Sequence, residues 1–213
     1  MEPYKIHFYQ VAAENLSKKL SRRNFDVEIC QTLAEAKEKA LEMIPLNKTV
    51  AFGGSQTLVQ SGIFDALYKR GQTMIDREKA KNLTERHQIM KQALTADVFL
   101  TSINGISEDG HLVNVDNVGN RVAAITYGPD KVLAFVGINK VYGDLETTIK
   151  MVRGQTSPMN AHRWDLKNTP CAKKGICGDC LQEECICNTV AVTRRSWQKG
   201  RITIYLILEE VGL

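Results

Sequence analysis

The chain has 213 residues, of which 43% are hydrophobic and 24% charged, the composition of an ordinary folded globular protein. Its formal net charge is only +4, and its densest basic cluster, within residues 18–23, is expected to be the solvated face of a helix, so we expect no nucleic-acid partner. No run of about 18 apolar residues is present, and the segment from Met1 to His7 lacks the apolar centre of a signal peptide. We therefore expect no membrane association and a cytoplasmic location.

Hydrophobic periodicity and turn residues predict helices that alternate with strands along most of the chain. Helices are predicted over 5–23, 33–44, a short segment after residue 55, 62–70, 77–95 and 144–153, with a helix or turn over 119–127. Strands are predicted over 25–29, 48–52, 73–75, 97–101, 111–115, 131–136 and 202–208. This alternation, with near-continuous apolar strands, is typical of an α/β fold with a mostly parallel sheet covered by helices on both faces.

The composition changes after Pro158, where turn residues and cysteines become frequent. We predict a cysteine-rich insertion over 170–189, followed by the strand at 202–208, which returns to the sheet. Because no repeat or restart of the pattern is found, residues 1–213 are predicted to form a single domain that contains this insertion.

Ligands of parallel α/β proteins bind beyond the carboxyl ends of the strands, and two glycines follow the predicted strand 48–52. Gly53 and Gly54 allow the backbone to approach a ligand closely, while Ser55 and the N–H groups of the next helix can bind an anion. The alternative is a tight turn in which Ser55 only caps the helix.

Polar residues follow two more strands. In the segment 101–110, Glu108 and Asp109 are candidates for a nucleophile or a general acid and base, while the alternative is a pair of ordinary turns. In the segment 114–121, Arg121 is able to bind a carboxylate or phosphate with two hydrogen bonds, while the alternative is a surface salt bridge. Together these segments predict a crevice for a small anionic metabolite.

Several short motifs occur in a fixed order along the chain, and together they resemble the lactate-utilisation (LUD) domain family, from the strand at Phe25 to the end of the sequence. The motifs are Gly53-Gly54-Ser55-Gln56-Thr57, Thr101-Ser102 with Asn104, Glu108-Asp109-Gly110, Leu112-Val113-Asn114, Gly119-Asn120-Arg121-Val122-Ala123, Gly137-Ile138-Asn139-Lys140, Pro158, Asn160-Ala161, Arg163 and Pro170-Cys171-Ala172.

The resemblance implies a fold like that of sugar-phosphate isomerases and CoA transferases, in which an acidic residue and glycine-rich N–H groups act on phosphorylated sugars or thioesters. Family members that are encoded with iron–sulfur partners take part in oxidising L-lactate to pyruvate, whereas this chain resembles the small, stand-alone form, so the resemblance implies no redox role of its own. Glu108 and Asp109 are the candidate catalytic residues. The candidate ligand-binding residues are Gly53, Gly54, Ser55, Thr57, Asn104, Asn114, Asn120, Arg121, Asn139 and Lys140.

Five of the six cysteines form the pattern C-x5-C-x2-C-x4-C-x1-C between residues 171 and 187. Clustered cysteines in the cytoplasm more often bind a metal than form disulfides. By its resemblance to the family spacing, the predicted ligand set is Cys171, Cys177, Cys180 and Cys187, with Cys185 as an extra thiol. Zinc is favoured because the ferredoxin spacing is absent, although a non-standard iron–sulfur cluster stays open. The alternative is a flexible loop of reduced thiols or a redox disulfide.

Three functions fit this sequence. The first is an enzymatic or accessory component of organic-acid metabolism that acts on a small anionic metabolite. The second is a ligand-binding or regulatory module without chemistry. The third is an assembly module that docks onto an iron–sulfur oxidoreductase. Since the sequence has no dinucleotide-binding G-x-G-x-x-G motif, we expect that the isolated chain does not oxidise L-lactate by itself.

Overall fold

The computed structural model describes residues 2–213; Met1, the first residue of the predicted domain and of the N-terminal stretch, lies outside the described residues. The helices are α1 (Pro3–Arg22), α2 (Leu33–Met43), α3 (Gln56–Ser61), α4 (Ile63–Lys69), α5 (Leu83–Gln92), α6 (Asn120–Thr126), α7 (Leu145–Met151), α8 (Ser157–Arg163) and α9 (Pro170–Lys174). The strands are β1 (Asp26–Cys30), β2 (Val50–Phe52), β3 (Met74–Ile75), β4 (Val98–Thr101), β5 (Gly105–Ser107), β6 (Leu112–Asp116), β7 (Lys131–Gly137), β8 (Val141–Tyr142), β9 (Thr189–Thr193) and β10 (Ile202–Ile207). None of the helices in this described range is long and apolar enough to cross a bilayer.

Six parallel strands form the main sheet in the order β1-β10-β7-β4-β2-β3. Successive residues of β7 alternate between its two faces: Val132, Ala134 and Val136 pack in one core with α1 and α6. Leu133 and Phe135 pack in a second core with α2, α3 and α4. Both faces of the strand are therefore buried, which explains its continuous apolar sequence. The predicted α/β fold with a parallel sheet and helices on both faces is confirmed.

A second, smaller sheet has the order β8-β5-β6-β9, and it was not foreseen. The segment 111–115 is a strand as predicted, but β6 lies in this sheet and is antiparallel to both neighbours. The turn Glu108-Asp109-Gly110 explains the difference, because a connection this short joins antiparallel strands, whereas a parallel pair needs a long crossover. The polar segment after β4 is thus partly a buried strand, β5.

The prediction of one long helix over 77–95 is wrong. A 3-10 turn at Arg77–Lys79 is separated from α5 by a break at residues 80–82, and a second 3-10 turn at Ala93–Thr95 follows α5. Asn82 causes the break, because its backbone is extended and its side chain accepts a hydrogen bond from the N–H of Glu85. Asparagine is among the best residues for this capping position, which lies outside the helix.

The amino ends of β2 and β4 are joined by Asp97. Its carboxylate accepts hydrogen bonds from Lys48 Nζ, from the Thr49 hydroxyl and from the Thr49 N–H, each 2.7 Å long. The Lys48 ammonium and these Thr49 donors hold the pKa of Asp97 well below its ordinary value. The carboxylate therefore stabilises the fold only while it is ionised.

We expect Asp97→Asn to make the protein less stable at pH 7 and to weaken the dependence of its stability on acid pH. A lowered carboxyl pKa in the folded state gives stability that is present above about pH 4 and is lost as the pH falls further. Urea unfolding midpoints at pH 7 and pH 3 measure the effect, with Asp65→Asn as the control on an exposed helix position. Equal loss of stability on acidification in the wild type and Asp97→Asn would contradict this role.

Candidate functional site

A cavity of ≈ 260 Å³ lies between the carboxyl edge of the main sheet and the second sheet. The segments that follow β2, β4, β6 and β7 reach it, together with α8. We call it the crevice. The predicted ligand residues that line it are Gly54, Ser55, Asn104, Asn120, Arg121 and Lys140. Most of these residues are far apart in the sequence, and the fold brings them to the place where a parallel sheet binds its ligand.

The glycine pair after β2 lies against the side chains of two arginines that line the crevice. A Cβ at Gly53 would lie 3.0 Å from Arg121 Cδ, and a Cβ at Gly54 would lie 2.7 Å from an Arg77 terminal nitrogen. The hydroxyl of Ser55 accepts the N–H of Leu58 at 3.3 Å and so caps α3. The loop therefore caps α3 and also forms part of the crevice wall.

Arg121 holds the crevice together by using all of its side-chain donors within the protein. It is only 8% exposed, and its Nε bonds Asp116 Oδ1 at 3.0 Å. The two terminal nitrogens donate to the Ser102 carbonyl, Asn114 Oδ1, Asn104 Oδ1 and the Val115 carbonyl at 3.2, 3.1, 2.7 and 2.6 Å. The guanidinium thus joins the end of β4 to β6, and it gives Arg121, Asn104 and Asn114 positioning roles.

Lys140 is the second buried cation of the crevice, with 4% of its surface exposed. Its Nζ donates hydrogen bonds to the hydroxyls of Thr57 at 3.0 Å and Ser102 at 3.1 Å. Burial, and then the charge of Arg121, lower the pKa of Lys140 to about 8. Thr57, predicted as a ligand residue, therefore contacts the lysine from the wall behind the crevice.

The last residues of the chain cover Lys140. Asn139 Oδ1 accepts the N–H of Val211 at 3.1 Å, and the N–H of Gly212 donates to Gln60 Oε1 at 2.8 Å. Gly212 has φ +76, and a Cβ there would lie 2.7 Å from Lys140 Nζ. The predicted ligand residue Asn139 thus holds the C-terminal segment over the lysine.

The crevice also contains cations that the sequence analysis did not place in the site. Arg77, Arg86 and Arg163 line it, so its charged side chains are five cations and the single carboxylate of Asp116. Arg163 donates to Asn160 Oδ1 at 2.9 Å and to Gln56 Oε1 at 3.4 Å, both uncharged acceptors. Arg163 as a whole is exposed, but partial burial of its guanidinium and the nearby charge of Arg77 lower the pKa of the side chain. In the sequence, only the position of Arg163 among the family motifs indicated that it belongs to the site.

Glu108 and Asp109 are not brought to the crevice. They are exposed in the turn between β5 and β6, where the Glu108 N–H donates to the carbonyls of Tyr142 and Gly143 at 2.7 and 2.8 Å. The side chain of Asp109 bonds His111 Nδ1 at 2.9 Å, and its carbonyl accepts from Arg23 Nε at 2.9 Å. The two carboxylates therefore lie beside the end of α1, apart from the cations that line the crevice.

The five clustered cysteines line a separate cavity of ≈ 150 Å³. α9 ends at Gly175, whose φ of +68 starts the turn that leads to Cys177 and Cys180. In residues 2–213, no three side chains of the metal-binding types lie close enough together to hold an ion. Ser157 and Ile186 line both this cavity and the crevice, so the cysteine-rich segment forms part of the crevice wall. Cys30, the cysteine outside the cluster, is fully buried in the core.

Comparison with known proteins agrees with this fold. The family model described as the LUD domain matches residues 13–207. The chain belongs to the LUD domain family. No match was found among curated proteins. The LUD chain is similar in structure to a DUF162 family protein from Deinococcus radiodurans, with a TM-score of 0.52 and 9% sequence identity, over 94% of this chain and 98% of the other. At this identity the similarity concerns the fold.

Proposed function

We propose that this LUD domain protein binds a small anionic metabolite in the crevice, as an enzymatic or accessory component of organic-acid metabolism. The observation that carries the proposal is the pair of cations without an acidic partner. Within residues 2–213, neither Lys140 nor Arg163 has a carboxylate within 4.0 Å. Asp116, the one acidic side chain among the lining residues that the structure describes, is already bonded to Arg121. A bound anion supplies the missing negative charge.

The charged side chains of the crevice favour an acidic ligand. A second cavity of ≈ 580 Å³ shares Gly54, Arg77 and Arg163 with the crevice, so these two arginines face both spaces. The arginines suit a carboxylate, since a guanidinium donates two parallel hydrogen bonds to its two oxygens. We therefore propose a short organic acid as the ligand, in accordance with the resemblance to lactate-utilisation proteins.

Arg163→Met is expected to weaken the binding of a short organic acid by about tenfold or more. A charge-assisted hydrogen bond contributes about 1.5–3 kcal/mol, and each 1.4 kcal/mol is about a factor of ten in Kd. Calorimetric titration with L-lactate, pyruvate and inorganic phosphate measures the affinity. Arg22→Met, at an exposed position near the end of α1, is the matched control. Unchanged affinity in Arg163→Met, or no binding of any of the three anions to the wild type, would count against the crevice.

We further propose that the cysteine cavity binds zinc through Cys171, Cys177, Cys180 and Cys187. The observation that favours this second site is that five thiols from a segment of 17 residues line one small cavity. Thiolates are the preferred ligands of structural zinc, and a bound ion draws its ligands together. Because Ile186 lies between two of these cysteines and lines the crevice, the ion would hold one wall of the anion site.

A further inference from the structure

Lys140 is placed as a nucleophile and not only as a charge. Its two hydrogen-bond partners are the hydroxyls of Thr57 and Ser102, which stay uncharged whatever the state of the amine. In the described residues it makes no ion pair that would hold it as an ammonium. A terminal ammonium has three N–H donors, so two bonds leave one position of the nitrogen for a ligand in the crevice.

The surroundings of Lys140 also make its neutral form easier to reach than that of a solvated lysine. Burial is the main cause and the charge of Arg121 the second, and together they bring the pKa down to about 8, whereas a solvated lysine has about 10.4. A neutral amine carries the lone pair that attacks carbonyl carbon, and buried lysines with a lowered pKa serve in this way in covalent catalysis. A lysine that only neutralised a bound anion would gain from an unlowered pKa.

The other cations of the crevice indicate which kind of substrate such an amine would react with. Arg163 and Arg77 suit a carboxylate, while the amine needs an electrophilic carbon a short distance away. A 2-oxo acid carries a carboxylate and a ketone on adjacent carbons, so the arginines and the amine are able to engage one small molecule together. A 2-hydroxy acid offers the carboxylate but has no electrophilic carbon.

We propose that Lys140 forms an imine with the carbonyl carbon of a 2-oxo acid held in the crevice, an inference that rests on the proposed anion site and names its substrate class. The neutral amine adds to the ketone carbon, and the carbonyl π electrons pass to oxygen, which takes up a proton as the nitrogen loses one. The resulting hydroxyl group then leaves with a proton as water, while the C=N bond forms. The hydroxyls of Thr57 and Ser102 touch the nitrogen and are placed to carry these protons.

Borohydride trapping tests the proposal on the full chain. The wild-type protein is incubated with pyruvate or glyoxylate and treated with sodium cyanoborohydride, and its mass is then measured intact and by peptide mapping. We expect an added mass equal to the 2-oxo acid less one oxygen atom, located on Lys140. The exposed Lys150 serves as an internal control for unspecific reaction. L-Lactate in place of the oxo acid is expected to leave no adduct.

Lys140→Arg lacks the reactive amine, so this variant is expected to give no adduct. Binding is measured separately by calorimetry, which keeps the two proposals apart. Pyruvate that binds to the wild type without a trapped adduct at Lys140, or with labelling no greater than at Lys150, overturns the imine and leaves the anion site standing. Failure of pyruvate and of the other anions to bind overturns both. Because the adduct is mapped in the wild type, the result does not depend on how well the variant folds.

Discussion

Arg121→Met is expected to lower the free energy of unfolding by about 3–5 kcal/mol, the usual effect of removing one member of a buried ion pair. The substitution would leave the Asp116 carboxylate, 9% exposed, without its cationic partner. It would also leave the side-chain oxygens of Asn104 and Asn114 with fewer donors, as well as two backbone carbonyls, in a place where water has little access. Urea unfolding followed by circular dichroism measures the change.

The matched control is Arg163→Met, because Arg163 also lines the crevice but bonds only uncharged side chains. We expect it to change the free energy of unfolding by less than about 1 kcal/mol, within the range for substitutions that break no buried network. A similar small effect for both variants would show that the Arg121 network does not hold the second sheet to the first. A large loss of stability in both variants would show that Arg163 also stabilises the fold.

The second large effect concerns metal. We expect protein prepared in the presence of zinc to contain about one ion per chain, and chelation to lower its thermal stability, because metal binding to thiolates contributes directly to the folding of the segment that supplies them. Cys177→Ser is expected to lose the ion and to loosen residues 171–187 while most of the main sheet stays folded. Elemental analysis of anaerobically prepared protein and hydrogen exchange across the segment measure both effects.

Cys185→Ser is the matched control, since Cys185 lines the same cavity but lies outside the proposed ligand set. This variant is expected to keep the ion. Iron together with a visible absorption band would show that the site holds an iron–sulfur cluster and not zinc. Loss of the ion in Cys185→Ser would show that Cys185 belongs to the ligand set. The absence of any metal from the wild type would refute the site. Loss of zinc should also weaken anion binding, because Ile186 belongs to both cavities.

The elements that were predicted well are those whose local sequence decides their structure. β7 and β10 were predicted as strands because both faces of each are apolar. α2 begins at residue 33 as predicted, where the Thr32 side chain accepts a hydrogen bond from the N–H of Glu35. The family motifs also located Lys140 and the glycine pair after β2. Periodicity, capping and motifs are all short-range signals, so they identify elements without giving their partners.

The features that could not be predicted from the sequence depend on contacts between distant residues. Arg121 was expected to bind a ligand, but nothing in the chain reveals that acceptors from β6 and from residues 102–104, which follow β4, would occupy its donors. The acidic pair at 108–109 was placed beside the crevice because it follows a strand, whereas β5 intervenes and carries it away. Arg77 and Arg163 reach the crevice from segments that are far apart in the sequence, and only the folded chain brings them together.

The position of β10 has a consequence for how the protein is made. This strand lies between β1 and β7, and β1 has no other neighbour in the sheet. During synthesis, β1 therefore cannot pair before β10 has been made. The apolar edge of β7 likewise stays unpaired until residues 202–207 have left the ribosome. Unpaired strand edges of this kind are prone to join those of other chains. The nascent protein is thus expected to depend on chaperones that shield strand edges until its final segment emerges.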